Sequence, residues 1–173
     1  MENKNLELTD GVVILKPFEI KDASLHLAGE DTEQEKWLSG GKSTIETVKN
    51  WIKKNQEYWQ NNGPIFNLAI WTDNKLIGMI EANTDKEGVE GMKDGQANIS
   101  YGIYSKYRGM GYAKKAVNLL VEFLKSKNIK QALIRINQDN VNSLRIPIAC
   151  GFKQEAEIKS KDGNTLKVFV KDL

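Results

Sequence analysis

Between Asn98 and Leu124 the chain reads NISYGIYSKYRGMGYAKKAVNLLVEFL, and no other stretch limits its architecture as strongly. Ile99, Tyr101 and Ile103 alternate with Ser100, Gly102 and Tyr104, a period of two that predicts a strand. Ala113, Ala116, Val117, Leu120, Val121 and Leu124 then recur at helical spacing. Lys114, Lys115, Asn118, Glu122 and Lys125 fall largely on the other side, which predicts an amphipathic helix. Between strand and helix, Gly109 and Gly111 let the backbone turn sharply and approach a ligand. Amides left unpaired in the helix's first turn then converge on one spot. Together with the helix dipole and Arg108 they favour an anion, a phosphate in particular.

An ordinary tight turn is the plain alternative, and two familiar phosphate loops are excluded. A Walker loop requires Lys-Ser/Thr after its second glycine, where Tyr112 and Ala113 stand. A dinucleotide fingerprint requires a third glycine at the position of Lys114.

The run Lys106-Tyr107-Arg108-Gly109-Met110-Gly111 resembles the acetyl-CoA pyrophosphate loop of the GNAT superfamily of N-acetyltransferases, whose pattern is Gln/Arg-x-x-Gly-x-Gly/Ala. It departs at the first position, where Lys106 keeps the charge and loses the planar fork. A second block resembles the Asn-x-x-Ser…Gly-Phe segment of the branch containing ribosomal-protein N-terminal acetyltransferases. It comprises Asn140-Val141-Asn142-Ser143, Arg145 and Cys150-Gly151-Phe152. The resemblance implies acetyl-CoA as co-substrate, with Arg108, Gly109, Met110, Gly111, Tyr112 and Ala113 at its diphosphate. It further implies that a strand including Ile103 and Tyr104 pairs with the pantetheine arm and offers a free amide to the thioester carbonyl. Gly102 is compatible with a bulge there.

At 173 residues and 40% apolar content the chain suits one domain, residues 1–173. The net charge of +2 comes from mixed signs, which argues against bulk nucleic-acid binding. One cysteine forms no internal disulfide framework, and no apolar run has spanning or signal-peptide length. A cytoplasmic protein with no membrane partner is expected. The sequence leaves the oligomeric state open, a homodimer included.

Along the chain, Val12 to Leu15 predicts a strand, Ile20 to Glu30 a helix, and Thr44 to Gln60 a longer helix capped by Ser43 or Thr44. Phe66 to Trp71 and Leu76 to Ala82 read as a hairpin about Asp73-Asn74. Asn83 to Gln96 reads as an exposed loop. Gln131 to Ile136, Phe152 to Ile158 and Leu166 to Val170 read as strands, and Asn142 to Cys150 as a short helix. This α/β (α+β) order resembles the GNAT fold, a mixed, mostly antiparallel twisted sheet with helices on both faces.

The implied reaction is attack of a primary amine on an acetyl thioester. Neutralising a lysine-type amine at pH 7 costs about 4.6 kcal/mol, and an α-amine only about 1.1 kcal/mol. A base therefore matters mainly for lysine. Glu81, ending the run from Leu76, is the candidate base, against a solvated strand-end glutamate. Glu87, Glu90 and Asp94 could attract a cationic acceptor or be plain solvated loop. Many relatives carry a tyrosine acid four residues before the Gly-Phe glycine, where this chain has Pro147. The resemblance gives Ser143 a hydrogen bond to the coenzyme sulfur, against a helix-start cap, and gives Asn140 a pantetheine contact, against a plain turn. Pro147 has no amide for the Ser143 carbonyl, which would stay free if both were helical. No metal ligand set is expected. His26 reads as helix surface, Cys150 as inert core, and Trp37, Trp51, Tyr58 and Trp59 as core packing or acceptor wall.

Two functional readings follow. One is an acetyl-CoA-dependent N-acetyltransferase acting on a protein N-terminus or a small amine. The other is a non-catalytic acyl-CoA-binding regulatory module.

Overall fold

Alternating apolar residues in eight segments build a single mixed sheet in the structure, a computed structural model that describes residues 6–173. The strands are β1 (Leu8–Thr9), β2 (Ile14–Lys16), β3 (Ile65–Thr72), β4 (Lys75–Asn83), β5 (Gln96–Ile103), β6 (Gln131–Asn137), β7 (Lys153–Lys159) and β8 (Thr165–Asp172). Their spatial order is β1-β2-β3-β4-β5-β6-β8-β7. Every neighbouring pair is antiparallel except β5 and β6. The helices are α1 (Ala23–Gly29), α2 (Thr32–Gln34), α3 (Ile45–Gln60), α4 (Tyr112–Ser126) and α5 (Arg145–Ala149).

Local chemistry accounts for the boundaries. Asp73 and Asn74 adopt φ of 47° and 60°, the left-handed pair that matches a hairpin's twist between β3 and β4. The Thr44 hydroxyl accepts the Thr47 amide at 3.2 Å and caps α3. Ser43, the other cap candidate, gives its hydroxyl to Glu30 instead, at 3.0 Å.

Each sheet face receives its own apolar layer. Ala116, Val117, Leu120 and Leu124 of α4 pack against Leu68, Ile70, Ile80 and Ile99. On the opposite face Ala23 of α1 and Val48 and Ile52 of α3 meet Ala69, Leu76 and Tyr104. Beyond β5 that second face is covered by the segment between β4 and β5. This segment was expected to be an exposed loop, yet Val89 and Met92 are buried on Leu133, Val168 and Val170. Its charges stay outside while two apolar side chains close the sheet.

Two elements go beyond the sequence reading. One is β1. The other is α2, which runs into a wide π-type turn at Glu35–Ser39. Conversely, the helix expected over Asn142 to Cys150 is confined to α5, with turns before it.

Candidate functional site

Strands β5 and β6 pair only at Gln96 with Gln131, Ala97 with Ala132 and Asn98 with Leu133. They then diverge around a cleft of about 1080 Å³, with Ile99, Tyr101 and Ile103 on one wall and Ile134, Ile136 and Asn137 on the other. The bulge expected at Gly102 is absent, since β5 keeps unbroken register with β4. The opening arises because β6 leaves. Gly102 serves close approach instead: a Cβ there would stand 2.6 Å from Leu38 Cδ1 and 2.7 Å from Gln34 Nε2.

The glycine loop closes one end of this cleft. Gly109 and Gly111 sit at φ of 78° and 80°, and Gly111 is the residue before α4. The first bond into the helix runs from the Lys115 amide to the Gly111 carbonyl. The amides of Tyr112, Ala113 and Lys114 therefore have no acceptor among the described residues, as expected for a helix start. Arg108, Gly109, Gly111, Tyr112 and Ala113 line the cleft. Met110 lies outside the lining, 59% exposed. Lys115 pairs with Asp10 at 2.9 Å, tying the first turn of α4 to the turn after β1.

Arg108 departs from expectation. Its Nε donates to the Ile103 carbonyl at 2.8 Å, and its terminal nitrogens straddle Asp31 at 2.8 and 2.9 Å. The guanidinium holds the Asp31 carboxyl below its usual range. It is thus engaged by protein rather than free for an anion.

Ile103 lines the cleft and Tyr104 does not. The Tyr104 amide donates to the Ile77 carbonyl at 2.8 Å, and its ring lies under α1. A Tyr104 amide offered to a thioester is therefore corrected, because β4 already uses that donor.

Asn140 and Ser143 both line the cleft, and the Ser143 hydroxyl has no partner among the described residues. It does not cap α5, which begins after Leu144. The expectation of a free Ser143 carbonyl is overturned. That oxygen accepts the Ile146 amide at 3.2 Å and the Tyr101 hydroxyl at 3.2 Å. Sequence reasoning treated Tyr101 only as part of the strand, since nothing local signals a contact with a residue 42 positions away. Burial pushes its phenol further above the ordinary range, so it stays protonated. Cys150 is buried, and desolvation likewise raises its thiol.

Glu81 lies within β4, in register with Asn67 on β3 and Ser100 on β5. Asn67 Nδ2 donates to it at 2.9 Å, and desolvation raises its carboxyl above the ordinary range. The solvated strand-end reading does not hold, yet Glu81 lines neither the cleft nor the cavity described next.

That second cavity, about 300 Å³, opens among α1, α2 and α3. Its wall includes His26, expected on the surface but only 6% exposed. The ring stacks on Trp51 with centroids 5.0 Å apart, and burial lowers its pKa to about 4. Nδ1 lies 2.7 Å from the Tyr104 hydroxyl and Nε2 lies 3.4 Å from Glu30 Oε1. Of the four aromatic residues read as core packing or acceptor wall, Trp51 lines this cavity and Trp37 the cleft. Trp59 packs in the core against Phe66 and Phe123.

The Acetyltransferase (GNAT) domain family model matches residues 13–153. Among solved structures, a GNAT-family acetyltransferase from Bacillus anthracis superposes with a TM-score of 0.80 at 18% identity, covering 96% of this chain and 98% of that one. RimL, a ribosomal alpha-N-protein acetyltransferase in complex with coenzyme A, gives 0.80 at 15%, with 97% and 98% covered. The aminoglycoside acetyltransferase AAC(6')-Ib in complex with coenzyme A gives 0.76 at 17%, with 92% and 94% covered. No curated protein sequence matches the chain. No helix among the described residues is long and apolar enough to cross a membrane.

Proposed function

Because the chain belongs to the GNAT acetyltransferase family, we propose that it moves the acetyl group of acetyl-CoA to a primary amine by direct attack in a ternary complex. The observation that carries this reading is the wedge between β5 and β6, with unpaired helix amides at one end and the free Ser143 hydroxyl on its wall.

In this reading the diphosphate rests on the amides from Gly109 to Ala113, where the helix dipole favours negative charge. The amide-bearing pantetheine arm runs along the edge of β5 that β6 vacates, past Ile103, with Asn140 on the facing side. The amine's lone pair attacks the carbonyl carbon, the C–S bond breaks, and the sulfur leaves with its electron pair. Ser143 is placed to hydrogen-bond that sulfur, and the protonated Tyr101 fixes the segment bearing Ser143 by bonding its carbonyl. Pro147 needs no replacement as an acid if a thiolate so stabilised takes its proton from water. Glu81 would receive the amine's proton through water, since it does not reach the cleft wall.

The acceptor is a protein N-terminus or a small amine. RimL and AAC(6')-Ib represent these two classes by name, and each shares the fold at under 25% identity. A cytoplasmic location belongs to the same reading, as does the absence of any metal requirement.

Thiol release from acetyl-CoA across an amine panel tests the proposal, with mass spectrometry of the products identifying the acceptor. Release that depends on amine is expected. Coenzyme binding without such release would favour the non-catalytic module, and an acetyl-enzyme formed from acetyl-CoA alone would overturn direct attack. Ser143→Ala should lower kcat about tenfold, the worth of a hydrogen bond to a charged sulfur, with little change in coenzyme KM.

A further inference from the structure

The cavity beside His26 meets the sheet level with Gly102, four residues along β5 from its last rung to β6 at Asn98. Met79, the register partner of Gly102, forms part of its wall, and Gln34 and Leu38 line both this cavity and the cleft. Gln34 is therefore a partition between the two spaces. It rests directly on β5 because Gly102 has no side chain to hold it off.

Two acceptor atoms in this partition and wall lack donors among the described residues. Gln34 is only 4% exposed, and its Oε1 has no hydrogen-bond partner among the described residues. Leaving such a carbonyl unmet is costly, so a ligand N–H has a ready place there. The Glu30 side chain is 8% exposed. Its Oε1 accepts the Ser43 hydroxyl and faces His26 Nε2, while Oε2 takes no hydrogen bond among the described residues. Tyr104 donates to Nδ1 when Nε2 carries the ring's proton, so a neutral His26 satisfies both neighbours and adds no charge beside Glu30. Among the described residues no lysine or arginine lines the cavity. Its remaining wall is apolar along Val48, Trp51 and Met79, and a volume of about 300 Å³ holds a short alkyl chain.

We propose that this chamber receives an alkylammonium group of the acceptor other than the amine that attacks the thioester, its N–H groups bonding the Glu30 carboxylate and the Gln34 carbonyl while its chain lies along Trp51. Identifying the occupant as the acceptor rests on the acetyltransferase reading. The chamber then selects acceptors carrying a second, unbranched aliphatic ammonium group and rejects neutral molecules of the same shape, whose hydroxyl brings no charge to Glu30.

The chain's single histidine makes the test specific, because its ring forms part of the wall. The Cε1–H resonance of His26 is followed by NMR during titration with n-pentylammonium and, separately, pentan-1-ol. A saturable shift with the amine, at least tenfold tighter than with the alcohol, is expected. Glu30→Gln preserves shape and should weaken the amine at least tenfold, and Gln34→Leu should do the same without touching any charge. A resonance that the amine leaves unmoved, equal binding of the alcohol, or both variants titrating like the parent would overturn the proposal. The titration reads neither coenzyme nor acetyl transfer. Failure of the acetyltransferase reading would show separately, as loss of acetyl-CoA binding by calorimetry or of amine-dependent thiol release.

Discussion

The glycine loop and the Glu30 chamber flank the same stretch of β5, and they are built by opposite means. The loop is one unbroken run, Lys106 to Ala113, and the polar groups it leaves unpaired are backbone amides. The chamber is made of side chains from α1, α2, the turn before α3 and α3 itself, held from below by a tyrosine 78 positions from His26. Backbone donors converge wherever local dihedral angles demand it, so such a site depends on neighbours in sequence. A side-chain chamber depends on how helices pack.

The sharpest way to break this comparison is Gly109→Glu. Open space surrounds Gly109, so the substitution acts through its charge and its strained positive φ rather than through a clash. Acetyl-CoA affinity measured by calorimetry should fall at least about a hundredfold, because a carboxylate would share the spot with the coenzyme's phosphates. Normal binding would show that the loop is not the anchor.

Acid probes the chamber instead. His26 is held at about 4 against an ordinary 6.5, so between those values the unfolded chain takes up a proton that the folded chain refuses. Stability from the neutral ring is full above pH 6.5 and is lost as pH falls toward 4, by up to about 3 kcal/mol. Urea unfolding at pH 7 and pH 4.5 should show this loss, and His26→Gln should show distinctly less.

A smaller effect joins the two regions. Asp31→Asn keeps a side chain able to cap α2 while removing the partner of Arg108. Coenzyme affinity should rise about threefold, in line with a half-exposed ion pair. A decrease would mean that the pair holds Arg108 in its useful place. The least effect concerns Glu81, whose raised carboxyl means that ionisation is disfavoured in the fold. Its stability contribution is lost as pH rises through the folded value, so Glu81→Gln should gain roughly 2 °C in Tm at pH 8. Its rate with lysine-type amines should drop more than its rate with α-amines.

These contrasts also explain what could be read from the chain. The strand, turn and helix from Asn98 to Leu124 were legible because periodicity and glycine placement are local, as were a cap at Ser43 or Thr44 and the Asp73-Asn74 turn. The Arg108–Asp31 pair spans 77 positions and belongs to no motif. His26 was misplaced on the surface because its burial depends on Trp51 and Tyr104, which reach it only after α1 and α3 pack on β4 and β5. Val89 and Met92 were hidden among charges that solvate the same loop. The Tyr101 bond to Ser143 needed both walls of the wedge in place.

The brevity of the parallel pairing has a mechanical consequence. Three rungs join a five-stranded half, β1 to β5, to a three-stranded half, β6 to β8. A molecule lying in the gap acts as a splint between these halves, so occupancy and rigidity rise together. Saturating the gap should therefore raise melting temperature in step with ligand concentration, and emptying it should loosen the seam before any strand melts.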